Sequence, residues 1–406
     1  MKKIILLSVM VSSILLATNG DNLISLGAES RAMGGVGIAM GMGTDSVFKN
    51  PSWLADVEGT EAMFGATLFM PDVKAKNAAP MTRTPNGPRF NGIEATSKAD
   101  LSLIPAVAHA GRINENWAYG VGMFGVSGMG ADYRNEDQFK GLGSMRTNFQ
   151  YMRFVPSVAY KQDNLKLGLG LTLAYGALDM SAITPDSTGA NPAQRGGGMS
   201  DDFGFGAQLG AAYSVTPNIS LGAFYQTEVA TEYEDVFDFN ADGVYNDLKL
   251  SQPAEYGIGI GYKKGALRAS MDVKKILWSS ADGYDSFGWD DQTVYALGME
   301  YKTANNLALR AGYSHADSPL GNGTFSTAKI DGISLDGPSQ ITYFNMMGFP
   351  AISEDHITVG LGYEFNDKIG IDVAYVHSPK ETLEKYGMSV SNEQNSISGA
   401  LKYKFD

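Results

Sequence analysis

A hydrophobic alternation of period two recurs along this chain almost from end to end, and it constrains the fold more than any other feature. In "GFPAISEDHITVGLGYEF", residues 348 to 365, apolar Ile357, Val359, Leu361, Tyr363 and Phe365 take every second position, with Thr358, Gly360, Gly362 and Glu364 between them. Successive side chains of a β-strand point to opposite faces, so the pattern describes a strand with one apolar face and one small or polar face. From residue 60 onward fourteen such segments follow one another, at 60–72, 100–112, 117–129, 147–160, 165–180, 201–214, 218–232, 253–263, 265–279, 291–303, 306–316, 353–365, 368–379 and 394–405.

The connections alternate in length. Short ones carry turn chemistry, as in Asn114-Glu115-Asn116, Gln162-Asp163-Asn164, Thr216-Pro217-Asn218, Lys264-Gly265, Ala304-Asn305 and Asn366-Asp367, where Asn, Asp, Gly and Pro tolerate or pre-set the dihedrals. Long polar ones occupy 73–99, 181–200, 233–250 and 317–352. Tight turns at one end and long loops at the other are the pattern of transmembrane β-barrels. The faces fit as well: Leu165, Leu167, Leu169, Leu171, Leu173 and Tyr175 lie opposite Lys166, Gly168, Gly170, Thr172 and Ala174. Lipid explains the first set, and a filled lumen explains the second. Trp117, Tyr160, Tyr213, Tyr262, Tyr301 and Tyr363 near strand ends suit an interfacial girdle. A soluble all-β protein would have to pack every apolar face internally. A bilayer instead demands closure, because hydrocarbon leaves no partner for an open edge.

Composition narrows the function. There is no Cys, so neither disulfides nor a thiolate metal site is available, and the net charge of −13 without a basic stripe argues against nucleic acid. Lys2 and Lys3 precede an apolar run from Ile4 to Leu16 and then Ala17. This is the plan of a secretory signal peptide over residues 1–17, and the run is too short for a spanning helix. The last segment, "NSISGALKYKF", ends on an apolar face of Ile397, Leu401, Tyr403 and Phe405.

Residues 18–59, "TNGDNLISLGAESRAMGGVGIAMGMGTDSVFKNPSWLADVEG", do not alternate. Short helices are expected near 21–33 and 52–56, with Asn50-Pro51 marking a turn into a first helical turn. The compact place for such a segment is the lumen.

"SRAMGGVGIA" followed by "NPSWLA" resembles the N-terminal hatch of the FadL family of outer-membrane transporters for long-chain fatty acids and other hydrophobic compounds, which includes the TodX-type aromatic hydrocarbon channels. "FVPSVAYK" (154–161), "WDDQTVYALGMEYK" (289–302), "LALRAGYSHADSP" (307–319) and "FPAISEDHITVGLGYEF" (349–365) extend the resemblance over the whole mature chain. It implies a 14-stranded antiparallel transmembrane β-barrel over residues 60–406, with residues 18–59 as a hatch seated through Gly34, Gly35, Asn50 and Pro51. The family's Asn-Pro-Ala is Asn-Pro-Ser here, at 50–52. The resemblance further implies passive uptake: capture between the third and fourth external loops, passage to a luminal pocket, hatch displacement, and lateral exit at a kinked third strand. The protein would sit as a monomer in the outer membrane of a Gram-negative bacterium, among outer-membrane lipids and lipopolysaccharide, placed there by the barrel-assembly machinery. No cofactor or metal is implied.

The candidate residues follow. The third loop is poor in apolar residues, so capture is expected from Phe237, Phe239, Val244, Tyr245 and Leu248 of the fourth. Phe149, Tyr151 and Arg153 share the inner face of the fourth strand, where a guanidinium can hold a carboxylate through charge-assisted bonds or pair with Asp45 or Glu29. Arg268 and Arg310 also point inward by parity. Gly122, Gly125 and Gly128 in "WAYGVGMFGVSGMG" mark either a kink or a lumen too crowded for larger side chains. Two rivals remain. An enzyme needs an activated nucleophile, and His109, His315, His356 and His377 are isolated from any such motif. A nonspecific porin would share the barrel but would not need the luminal segment.

Overall fold

The computed structural model describes residues 18–77, 94–134, 142–185, 192–320, 328–335 and 338–405. The segment expected to be a signal peptide lies outside them. Fourteen strands form the wall: β1 Thr60–Asn77, β2 Ser102–Arg112, β3 Trp117–Met129, β4 Arg146–Gln162, β5 Leu165–Ser181, β6 Gly198–Thr216, β7 Ile219–Gln226, β8 Glu255–Lys264, β9 Leu267–Ile276, β10 Gln292–Lys302, β11 Leu307–His315, β12 Asp355–Glu364, β13 Ile369–Lys385 and β14 Met388–Phe405. Each pairs antiparallel with its neighbour. The last strand closes on the first along its whole length, from Met388 opposite Asn77 to Phe405 opposite Thr60. Among the described residues the sheet thus closes on itself, as a hydrocarbon environment requires.

The two faces divide as the alternation demands. On β5 the leucines from Leu165 to Leu173 and Tyr175 are exposed, while Lys166, Thr172 and Ala174 are buried. Exposed Trp117, Tyr213, Tyr262, Tyr301 and Tyr363 ring the end with the short turns, and Tyr175, Tyr225, Tyr256, Tyr295, Tyr313 and Tyr375 ring the other. These are the two aromatic belts of a bilayer-spanning wall. The wall is uneven in height: β7 has 8 residues and β11 has 9, whereas β1 has 18 and β6 has 19.

Three expectations change in detail. The seventh strand ends at Gln226 rather than near 232, because the chain then turns inward and Val229 bridges Gln252. Two glycines of β6 make room for it, since a Cβ at Gly204 or Gly206 would come within 2.5 and 2.7 Å of the Val229 methyls. Residues Glu232–Phe237 then form a separate hairpin with Asn246–Lys249. The final hairpin is longer than expected, with β13 and β14 joined through Tyr386 and Gly387, both at positive φ, as tight hairpins favour. Of the helices expected in the N-terminal segment, 21–33 shortens to Ala28–Arg31, and the later turn is 3₁₀ over Pro51–Asp56.

Residues 18–56 lie against the inner faces of the wall and are buried nearly throughout. The wall receives them on glycine. A Cβ at Gly120 would meet Val47 at 2.6 Å, at Gly222 the Ile38 carbonyl at 1.9 Å, and at Gly312 the Gly34 nitrogen at 2.2 Å. The chain's 49 glycines are thus in part the footprint of an enclosed segment on the wall.

Candidate functional site

The N-terminal segment is held first by backbone and small polar groups. Gly34 and Gly35 turn at φ +69° and +81°, a region open to glycine, and the Gly34 nitrogen donates to Thr358 Oγ1 at 2.9 Å. The Gly37 and Ile38 nitrogens both donate to Asp272 Oδ2 at 2.8 Å. Asn50 joins segment to wall: its amide donates to the Ile38 carbonyl at 2.8 Å and to those of Ala211 and Ala223 at 3.3 Å. Its oxygen accepts from the Ser52 nitrogen, capping the turn that Pro51 begins.

The second hold is a buried charge cluster near the short turns. Glu29 receives Arg268 at 3.0 Å and Lys402, and Arg310 lies 3.9 Å away. Glu300 and Asp372 complete it through Arg268, Arg310 and Lys402. Burial alone would raise the Glu29 carboxyl, but Lys402, Arg310 and Arg268 outweigh it and hold it well below the usual range. Arg268 and Arg310 therefore spend their donors on this cluster.

The inner face of β4 differs. Phe149, Tyr151, Arg153 and Val155 are all buried on it, and the Arg153 guanidinium lies 5.5 Å from the Tyr151 ring centre. Arg153 donates through Nη1 to Gln226, while its Nε and Nη2 have no partner among the described residues. It pairs with neither Asp45 nor Glu29, which sit beside Lys402 at the other end. Met129, Phe149, Leu248, Leu250, Tyr284, Phe287, Trp289, Asn345 and Phe349 line a small cavity of about 10 Å³, room for little more than one water molecule. Most of that lining comes from two non-alternating segments. The rings of Trp278, Tyr284 and Trp289 lie 4.6 to 5.1 Å apart, and Trp289 Nε1 donates to Asn345 Oδ1 at 3.0 Å. No periodicity marked these residues; the signal available was aromatic density at 278–289 and 343–349.

The fourth-loop residues divide. Phe237, Phe239 and Leu248 are buried, with Phe237 and Phe239 packed on Phe344 at 5.4 and 5.7 Å. Val244 and Tyr245 are exposed, at 62% and 37%.

The glycines of β3 also divide. Gly120 and Gly122 face Val47, Leu54 and Phe48, so crowding accounts for them. At Gly125 the register with β4 shifts before Ser127, and pairing with β2 stops at Phe124. Beyond that point β3 pairs with the N-terminal segment instead: Asn22 lies opposite Ser127, and the Gly128 nitrogen donates to the Asp21 carbonyl at 3.3 Å. Leu23, Phe69, Ala99 and Ile104 cluster at this break. The Asp21 carboxylate is fully buried and accepts from Tyr284 and, at 3.3 Å, from Gln252. Burial pushes its pKa up to about 6 against the hydrogen bonds of Tyr284, Ser127 and Gln252 and the charge of Arg153.

Comparison with known proteins places this architecture. Residues 22–330 match the model of a family described as outer membrane protein transport protein (OMPP1/FadL/TodX). The 47 kDa outer membrane protein of Pasteurella multocida is 23% identical over 392 residues, covering 86% of this chain and 85% of the relative. The long-chain fatty acid transport protein of Escherichia coli K12 is 21% identical over 404 residues, covering 88% and 86%. Among solved structures, the toluene transporter TodX of Pseudomonas putida superposes with a TM-score of 0.71 at 20% identity, over 96% of this chain and all of that one, at 100%.

Proposed function

The chain belongs to the OMPP1/FadL/TodX family of outer-membrane transport proteins, and from that premise we propose that its preferred cargo is a long-chain fatty acid or a similar carboxylate amphiphile. The family channel for hydrophobic compounds, in the outer membrane, is the frame. The cargo is argued from one observation: on the inner face of β4, Phe149 borders a small apolar, aromatic-lined cavity, and four residues along the same face the buried Arg153 keeps two donors without partners among the described residues. An acyl chain gains about 25 cal/mol per Å² on leaving water for such an apolar lining, which must open to seat it. A carboxylate satisfies Arg153, which otherwise bears the desolvation of a buried charge. Residues 149 and 153 lie roughly 13 Å apart along an extended strand, within the length of such an amphiphile.

In this reading the exposed Val244 and Tyr245 meet the ligand first. Residues 18–59 act as the hatch, and the break between β2 and β3 is the lateral way out. Transport is passive, driven by the gradient and by apolar transfer. A neutral arene is the second reading, favoured by the aromatic lining of the cavity; it would leave Arg153 as it is.

Binding of a fluorescent fatty acid to the purified protein, with toluene uptake measured alongside, decides between them. Arg153→Met is expected to weaken fatty acid binding by about 1.5–3 kcal/mol, roughly 10- to 150-fold in Kd, with toluene uptake unchanged. Equal fatty acid affinity in both proteins overturns the carboxylate reading.

A further inference from the structure

Beyond the charge cluster, toward the long loops, the inner face of β11–β14 carries a row of polar side chains whose hydrogen bonds are not all made. Ser314 of β11 lies opposite His356 of β12, and Ser378 of β13 lies opposite Gln394 of β14. The register of β12 with β13, paired at Ile357 and His377, carries on to set His356 beside Ser378. These four residues are 0 to 3% exposed, yet Ser314 Oγ, both His356 ring nitrogens, Ser378 Oγ and Gln394 Oε1 have no partner among the described residues. Residues 350–354 cover the far side of the row: Asn392 donates to the Pro350 carbonyl at 3.2 Å, and the Ala316 nitrogen donates to the Glu354 carbonyl at 3.0 Å. There Asn392 Oδ1 and Ser353 Oγ are unpartnered as well.

The N-terminal segment brings a cation to the near side of this row. Arg31 is 0% exposed; its Nη1 donates to the Ser25 carbonyl at 3.0 Å, its Nη2 donates to Ser396 Oγ at 2.6 Å, and its Nε has no partner among the described residues. Ser396 is the inward residue next to Gln394 on β14, and Thr358, which holds the Gly34 nitrogen, is the inward residue next to His356 on β12. At both places the segment therefore lies one inward position, about 6.6 Å along the strand, from the row. Arg268 and Arg310, nearer the short turns, share Glu29, Glu300 and Asp372. Arg31 has no such acid among the described residues, and burial acts on it unopposed, lowering its pKa to about 10.

We propose that the row binds one small monovalent inorganic anion, of the size and charge of chloride, against Arg31 Nε, with Ser378 Oγ and a His356 ring nitrogen as the other donors. A buried charge without a partner is costly, and neither the wall nor the segment supplies an acid here. Water satisfies hydroxyls and an imidazole but leaves the guanidinium uncompensated, and a metal cation would be repelled by it. One guanidinium balances one negative charge, which favours a halide over a dianion. An acyl tail has no place beside it, because the described residues close the row between the segment and residues 350–354. Gln394 Oε1 and Asn392 Oδ1 only accept hydrogen bonds, so water shares the row with the anion and serves them and Ser314. The anion gives the segment a second electrostatic hold, separate from the Glu29 cluster and from Arg153.

Crystals of the full-length mature protein grown in bromide test the site directly by anomalous scattering, with a peak expected in contact with Arg31 Nε and Ser378 Oγ. In solution, hydrogen–deuterium exchange at residues 28–37 reads the same binding. Exchange there is expected to slow about tenfold once chloride reaches ten times its Kd, relative to gluconate, an anion too large for the row, at equal ionic strength. Arg31→Met should remove the bromide peak and make exchange alike in the two salts. Should that variant not fold, Ser378→Ala serves, with the chloride midpoint of the exchange titration raised about two- to tenfold. Four results overturn the site: no bromide at Arg31, a peak that survives Arg31→Met and so marks an adventitious ion only, exchange indifferent to chloride, or a chloride midpoint unmoved by Ser378→Ala.

Discussion

The two sides of the lumen are built on opposite plans. Along β7–β12 the inner face is glycine and small polar residues, and the N-terminal segment lies on it with its amides bonded to Asp272 and Thr358 and its Glu29 in a charge cluster. Along β3–β5 residues 47–54 rest on Gly120, Gly122 and Gly168 near the short turns, but farther along the strand register breaks at Gly125, Phe149 and Tyr151 face inward, and Arg153 keeps donors unpaired among the described residues. The difference separates a seat from the proposed ligand site. The first side is packed closely on the segment, so overpacking there costs stability. The second side carries the arginine donors and the small apolar cavity on which the proposed cargo rests.

Three variants would break or sharpen that contrast. Glu29→Gln removes the acid shared by Arg268 and Lys402, and leaving buried cations short of a partner typically costs about 3–5 kcal/mol. The expected result is a marked rise in single-channel conductance in planar bilayers, with fatty acid affinity little changed. Gly222→Val pushes a side chain into the Ile38 carbonyl, and overpacking of that kind costs about 1–3 kcal/mol. Conductance should rise again, by less, and the thermal transition of the N-terminal segment should fall. Replacing exposed Val244 and Tyr245 by Ser should alter stability by under about 0.5 kcal/mol, yet slow uptake from dilute ligand in a cell-based assay. If the first two variants stay closed, the close-packed side is not what seats the segment; if the third takes up ligand at the normal rate, capture lies elsewhere.

The wall was legible because lipid imposes one rule on every strand. Leu165 to Leu173 could be assigned outward from parity alone, and their exposure agrees. The rule fails where the chain leaves the wall. Residues 227–232 continue the alternation of β7 in sequence, but Gly204 and Gly206 across the sheet let Val229 fold in, and that cause lies about twenty residues away in the chain. The inner face of β4 was readable by the same parity, which located Phe149, Tyr151 and Arg153. The cavity that Phe149 borders was not, because Tyr284, Phe287, Trp289 and Phe349 come from segments without a period, and their convergence depends on contacts such as that of Trp289 with Asn345. Asp21 was equally invisible: among 44 acidic residues, only its burial against Tyr284 distinguishes it. For the β3 glycines, sequence left crowding and kink as alternatives, and neighbours divided them residue by residue.

The seam between β14 and β1 joins the end of the chain to the start of the wall, from Phe405 opposite Thr60 to Met388 opposite Asn77. Contacts between residues so distant in sequence are late events in folding, since the loop-closure entropy must be met before they reward it. The N-terminal segment, by contrast, is joined directly to β1 and emerges before any of the wall. A segment laid on the glycine face before the seam zips needs no later way into a closed wall. The connectivity thus favours one order of assembly, in which the N-terminal segment is laid down first, the sheet curls around it and the final strand closes last.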